Sequence, residues 1–265
     1  MKITNQIIWI TGASSGIGKA FANLLSGKGN TLILSSRTQE TLLAVKESCS
    51  NPKESTFVIP MDLSNPKSIA NAYQEVTKTI GIPDFLLNNA GIGQHGKVVD
   101  MPEEVERTLM EVNFFGTVTL TKLLLPHFLE RGRGRIAVIN SIVGKMGMSH
   151  LAAYSASKFA LQGYFESLRA ELYGTGIEIH LIYPGFINTE VTLNSLTSSG
   201  KTLNVNSPAQ EKGMAPEVLA LKAIKKMEGG AQSFMIGKTE IYAVYLKGVF
   251  PRLFYALLRK MSKKE

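Results

Sequence analysis

One stretch constrains the fold more than any other. Near the N-terminus, Thr11-Gly12-Ala13-Ser14-Ser15-Gly16-Ile17-Gly18 follows an apolar run, Gln6–Ile10, and opens a helical period over 16–28. Gly12 lets the chain turn sharply off a strand, Gly16 lets the backbone approach a pyrophosphate, and Gly18 lets helix and strand pack closely. Backbone N–H groups around Ser14, Ser15 and Ile17 then face an anion at the helix N-terminus. The spacing is Gly-x-x-x-Gly-x-Gly rather than the commoner Gly-x-Gly-x-x-Gly, so taken alone the turn also reads as simple punctuation.

The rest of the chain repeats the strand–helix alternation that this turn begins. Apolar, β-branched runs at Thr31–Ser35, Thr56–Pro60, Phe85–Asn88, Arg135–Asn140 and Ile177–Tyr183, with a weaker one at Ser233–Ile236, read as buried parallel strands. Helical periods lie between them at about 38–49, 66–80, 102–130, 151–173 and 216–228. This pattern predicts an α/β fold: a doubly wound, mostly parallel seven-stranded sheet with helices on both faces. Residues 1–237 are expected to form one domain, and 238–265 a C-terminal extension. Within the domain, Asn188–Gly213 is Ser/Thr/Asn-rich and longer than an ordinary loop, which suggests a lid or a disordered segment.

Dinucleotide binding has a second test about 20 residues past the glycine turn, where an acid grips the ribose 2′-OH and an arginine accepts a 2′-phosphate. Here the residues are Ser35, Ser36 and Arg37, with no acid, so NADP(H) is expected in preference to NAD(H). The single cysteine, Cys49, permits neither an internal disulfide nor a Cys-based zinc site, and no metal site is expected. It suits a reducing compartment. With no signal peptide and no long apolar run visible, a cytoplasmic location is expected.

Five motifs then occur in order: the glycine turn, Asp62 after the third strand, Asn88-Asn89-Ala90-Gly91 after the fourth, Asn113, and Ser141 with Tyr154-Ser155-Ala156-Ser157-Lys158. On these residues the chain resembles the short-chain dehydrogenase/reductase family, of the compact single-domain type with a Rossmann fold, over about 6–190. The chemistry can also be argued from the residue types. Carbonyl reduction needs a hydride donor and a proton donor for the developing alkoxide. Tyr154 is a candidate acid, and Lys158, four residues on, shares its helix face and is expected to lower its pKa. Ser141 could hydrogen-bond the substrate oxygen. The resemblance implies further roles. Lys158 would hold the nicotinamide ribose, Asn113 would order a relay water, and Asn89, Ala90 and Gly91 would border the adenosine ribose. Asp62 and Leu63 would read adenine, while Pro184, Gly185, Ile187 and Thr189 would border nicotinamide.

The reading is therefore a carbonyl reductase, or alcohol dehydrogenase in reverse, with a dinucleotide sensor or scaffold as the alternative. Ile142, Val143, Met146 and Met148 after Ser141, and Leu193, Leu196, Leu203 and Val205 in the lid, favour a small hydrophobic ketone or aldehyde. The resemblance implies a homodimer or homotetramer paired through the helices at about 102–130 and 151–173. Of a net charge of +8, residues 238–265 carry +5, interleaved with aromatic and aliphatic side chains and broken by Pro251. Without zinc-finger spacing or an RNA-recognition motif, nucleic acid is not an expected partner. The tail is expected either to make peripheral membrane contact or to pack over the substrate cleft or a partner subunit.

Overall fold

The computed structural model describes residues 2–190, 195–205 and 208–262; lid residue Leu193 and the tail's Lys263 and Lys264 lie outside them. The strands are β1 (Ile7–Thr11), β2 (Thr31–Ser35), β3 (Thr56–Val58), β4 (Phe85–Asn88), β5 (Gly134–Ile139), β6 (Ile177–Pro184) and β7 (Ser233–Ile236). They form one sheet in the order β3-β2-β1-β4-β5-β6-β7, and every pairing is parallel. The helices are α1 (Gly16–Ser26), α2 (Gln39–Ser48), α3 (Pro66–Thr79), α4 (Glu103–Met110), α5 (Gly116–Arg131) and α6 (Ala152–Glu171). They continue with α7 (Pro208–Glu211), α8 (Pro216–Glu228), α9 (Tyr242–Val249) and α10 (Pro251–Ser262).

The strands are apolar along their whole length because both faces are covered, and successive side chains point to opposite faces. Ile8, Ile10, Leu32, Leu34, Phe85 and Leu87 join one core with Phe21 of α1 and Leu219 of α8. Trp9, Ile33, Leu86, Ile136 and Val138 join the other, with Val76 of α3, Leu124 of α5 and Phe165 of α6. The single tryptophan fixes one strand pair further: Trp9 Nε1 donates to Ser35 Oγ at 2.8 Å, and both residues are fully buried.

Two regions differ from the sequence expectation. The single helix read over 102–130 is three pieces, because Glu111–Phe115 makes one π-helical turn between α4 and α5. The hydrophobic periodicity runs through this extra residue and hides it, yet π turns are frequent at functional positions, and Asn113 sits inside this one. The lid segment is not featureless where it is described. Leu196 bridges Gln94 and Thr202, Ile187 bridges Met214, and α7 forms a short helix. The break at Pro251 does divide the tail into two helices, with Phe250 between them.

Replacing Ser35 by Ala leaves the buried Trp9 N–H without an acceptor. We expect a loss of about 1–3 kcal/mol. Urea unfolding followed by Trp9 fluorescence should show a lower midpoint at an unchanged slope; an unchanged midpoint would contradict the packing described.

Candidate active site

The chain order of the strands reverses between β1 and β4, so a crevice opens beyond their carboxyl ends. The two strand ends are cross-tied there. Thr11 Oγ1 accepts from the N–H groups of Asn89 and Ala90, each at 3.0 Å, and Asn89 Nδ2 donates to the carbonyls of Thr11 and Gly12. Gly12 and Gly16 have φ of +62° and +50°, in the left-handed region that favours glycine. At Gly18 a Cβ would run into the Gly12 carbonyl and the Asn89 side chain, so helix and turn can approach only with glycine there.

This turn fits a pyrophosphate. Ser15, just before α1, is extended and makes no side-chain capping bond, beside partly buried Ser14, Gly16 and Ile17, which leaves the first-turn N–H groups without that cap and suited to an anion. Thr189, from the segment after β6, lies against Gly16: its Cγ2 is 3.0 Å from where a Gly16 Cβ would be. At the end of β2, Ser36 is partly buried and Arg37 is exposed, without an adjacent carboxylate in the chain. Asp62 Oδ1 accepts from the backbone N–H and the hydroxyl of Ser64, while Leu63 is buried with its carbonyl against Gly116. These residues share one edge of the sheet, but no described hydrogen bond joins Ser36, Arg37 or Asp62 to the cluster that follows.

That cluster forms where β5 and α6 meet. Ser141 lies two residues past β5 and hydrogen-bonds the side chain of Tyr154, while its Oγ also accepts from Val143 N–H at 3.3 Å. Lys158 Nζ lies 5.7 Å from the Tyr154 ring centroid, as the four-residue helical spacing requires, and donates to the Ile139 carbonyl at 3.0 Å. Asn113 Oδ1 accepts from Ile92 N–H, and its Nδ2 donates to the Ile92 carbonyl and to Ser157 Oγ. Gly91 passes close to both: a Cβ there would be 3.1 Å from Asn113 Oδ1 and 3.6 Å from Lys158 Nζ. The structure thus brings Asn113, Ser141, Tyr154 and Lys158 to one place beside Gly91.

The electrostatics correct one expectation. Burial pushes the Tyr154 phenol up to about 12, with the Ser141 hydrogen bond acting in the opposite direction. Lys158 does not bring the phenol below its ordinary value. The lysine is itself only 4% exposed, and burial lowers it to about 8. Desolvation disfavours the charged form of each group, and it is the leading cause of both shifts.

Three further residues shape the site and were not singled out from the sequence. Asn140 donates to the Lys158 carbonyl and accepts from Ser141 N–H, locking β5 to α6. Buried Gln94 donates to the carbonyls of Gly96 and His150 and accepts from Tyr154 N–H at 3.5 Å. Glu240, at the start of the tail, accepts from the N–H groups of Phe186 and Lys238 and packs over Gly185, next to Pro184. Only Asn140, a polar residue at a strand's carboxyl end beside Ser141, carried a usable signal. An apolar wall completes the site: buried Ile142, Val143 and Met146 cluster with Phe254 of α10, and Tyr154, Met148 and Leu246 pack against them.

Comparison with known proteins agrees with this geometry. The family model for short chain dehydrogenase matches residues 6–209. The chain is 34% identical to "Dehydrogenase/reductase SDR family member 7B" of Danio rerio, over 99% of this chain and 87% of that one. A short chain dehydrogenase from Burkholderia cenocepacia, solved in complex with NADP, has a TM-score of 0.80 and 25% identity, covering 97% of this chain and 99% of the other. A short chain dehydrogenase/reductase from Burkholderia phymatum, solved in complex with NAD, has a TM-score of 0.83 at 19% identity, covering 96% of each chain, and shows the shared fold. The chain belongs to the short-chain dehydrogenase/reductase family, NAD(P)-dependent oxidoreductases acting on CH–OH groups.

Proposed function

We propose that this protein is an NADPH-dependent carbonyl reductase, running in reverse as an alcohol dehydrogenase, for a hydrophobic ketone or aldehyde. The observation that carries the reading is the Ser141–Tyr154 hydrogen bond above buried Lys158, beside the glycine turn at the β1/β4 crevice. The residues that would hold the cofactor are Gly12, Ser14, Ser15, Gly16, Ile17 and Gly18 at the phosphates, and Asp62, Leu63, Asn89, Ala90 and Gly91 on the adenosine side. Pro184, Gly185, Ile187 and Thr189 would border nicotinamide. When bound, the reduced dinucleotide supplies a hydride to the carbonyl carbon. Ser141 orients the carbonyl oxygen, and Tyr154 donates its phenolic proton to that oxygen. Lys158 then offsets the phenolate charge and contacts the ribose, while Asn113 fixes the Gly91–Ile92 loop beside it. The arginine and hydroxyl at Ser36–Arg37 support NADP(H) over NAD(H), because they can hydrogen-bond a 2′-phosphate where an acid would repel it.

The apolar wall of Ile142, Val143, Met146 and Phe254 favours a lipophilic substrate, and 188–213 would serve as the lid. Residues 1–237 would act as the catalytic domain and 238–265 as its closing extension. Self-association through the helices at about 102–130 and 151–173 is supported by an open groove of about 380 Å³, lined by Phe114 of the π turn and by Ala160, Gly163, Tyr164 and Leu168 of α6. Small residues there let two helices approach closely. We place the protein in the cytoplasm, a reducing compartment that suits its single cysteine, Cys49.

The test is NADPH oxidation across steroids, fatty aldehydes, quinones and sugars, with NADH in parallel and Tyr154→Phe as the variant. Lipophilic carbonyls with NADPH should turn over best, and Tyr154→Phe should lose about 10²–10⁴-fold in rate while still binding NADPH. Near-normal turnover by Tyr154→Phe would refute the proton-donor role, and a preference for NADH would refute the cofactor assignment.

A further inference from the structure

The two tail helices have opposite faces with different fates. The inner face is used up within the protein: Phe254 is 5% exposed against Ile142 and Val143, and Leu258, Val244 and Leu246 pack beside it. Lys247 also turns inward, donating to the Lys145 carbonyl at 2.8 Å and lying over the Phe159 ring. The outer face carries a second apolar stripe that stays exposed among the described residues. Tyr242, Tyr245 and Val249 share one side of α9 and are 65, 57 and 68% exposed. The stripe continues through Phe250 and Leu253, both more than half exposed. Exposed contiguous patches of this kind mark interaction surfaces.

Charge selects the occupant. Between Ile241 and Ser262 the chain has four basic residues and no acidic one, and Arg252, Arg259 and Lys260 are exposed alongside the apolar stripe. A second copy docking this face onto itself would oppose like charges. An aromatic and aliphatic face interleaved with Lys and Arg suits the headgroup region of an anionic lipid surface, where tyrosine and phenylalanine enter the interface and the cations meet lipid phosphates. We propose that the outer face of α9 and α10 seats on an anionic lipid surface, while the inner face of the same helices walls the Ser141–Tyr154 site. This deepens the carbonyl-reductase reading and rests on it for the substrate: the site would then draw lipophilic carbonyl compounds that partition into the bilayer.

The test is flotation of the full chain with vesicles, read without substrate. Vesicles of phosphatidylglycerol and phosphatidylcholine should bind it at least about tenfold more tightly than phosphatidylcholine alone, and binding should weaken as salt is raised. A triple variant, Tyr245→Ser, Val249→Ser and Leu253→Ser, should lose at least about tenfold in that binding while keeping wild-type turnover of a water-soluble aldehyde. No preference for the anionic vesicles, or equal flotation of the triple variant, overturns the proposal. So does a lipid-free dimer that the triple variant dissolves, which assigns the face to a second copy. Because binding is read without substrate, vesicle binding with no carbonyl turnover would remove the reductase reading and leave the lipid surface standing.

Discussion

The site depends on holding an ammonium group inside the protein. Lys158 is buried at the carboxyl edge of the sheet, and its position is set by one backbone acceptor, the Ile139 carbonyl, and by the Asn140 side chain that bonds its own carbonyl. A buried cation is tolerated only where it is hydrogen-bonded and can meet compensating charge. Here the cost of burial is visible in both partners. The lysine gives up its proton more readily than usual, and the tyrosine holds its own more tightly. A phenol that keeps its proton at neutral pH is suited to donate it to an alkoxide forming beside it. The phenolate left behind would lie beside the Lys158 ammonium, which is still charged at neutral pH. On the proposed reading, the charge that burial disfavours would be compensated only when the proton is transferred.

The surrounding fold makes that placement possible. Parallel strands covered on both faces deliver all their carboxyl ends to one edge, and the reversal between β1 and β4 opens the crevice there. Thr11 and Asn89 tie the two sides of the crevice together, while the π turn at Glu111–Phe115 carries Asn113 to the Gly91–Ile92 loop. The tail packs against this region. Glu240 anchors it at Gly185, and Phe254 reaches the apolar residues that follow Ser141.

Much of this was legible in the sequence because its signals are local. β2, β4 and β7 begin and end where the apolar runs do, since a strand buried on both faces must be apolar throughout. The glycine turn, Tyr154 with Lys158, and the Pro251 break are set by backbone freedom or helical spacing, which a sequence displays directly. What was missed is tertiary. Gln94 and Glu240 are single polar residues in no motif, and their partners lie 60 and 54 residues away at Tyr154 and Phe186. The direction of the Tyr154 shift was misread because charge proximity can be inferred from spacing, whereas desolvation depends on what packs around the pair. The π turn escaped because one inserted residue barely disturbs an amphipathic pattern.

The central claim is that Tyr154 donates a proton whose loss is balanced by charged Lys158. The most direct measurement is kcat/KM for NADPH-driven carbonyl reduction across about pH 6 to about pH 10. Lys158, its proton affinity lowered by burial, is charged below about 8 and neutral above it. The account therefore predicts a plateau on the acid side and a tenfold fall per pH unit above about 8. A profile that stays level, or rises, through that range would contradict it.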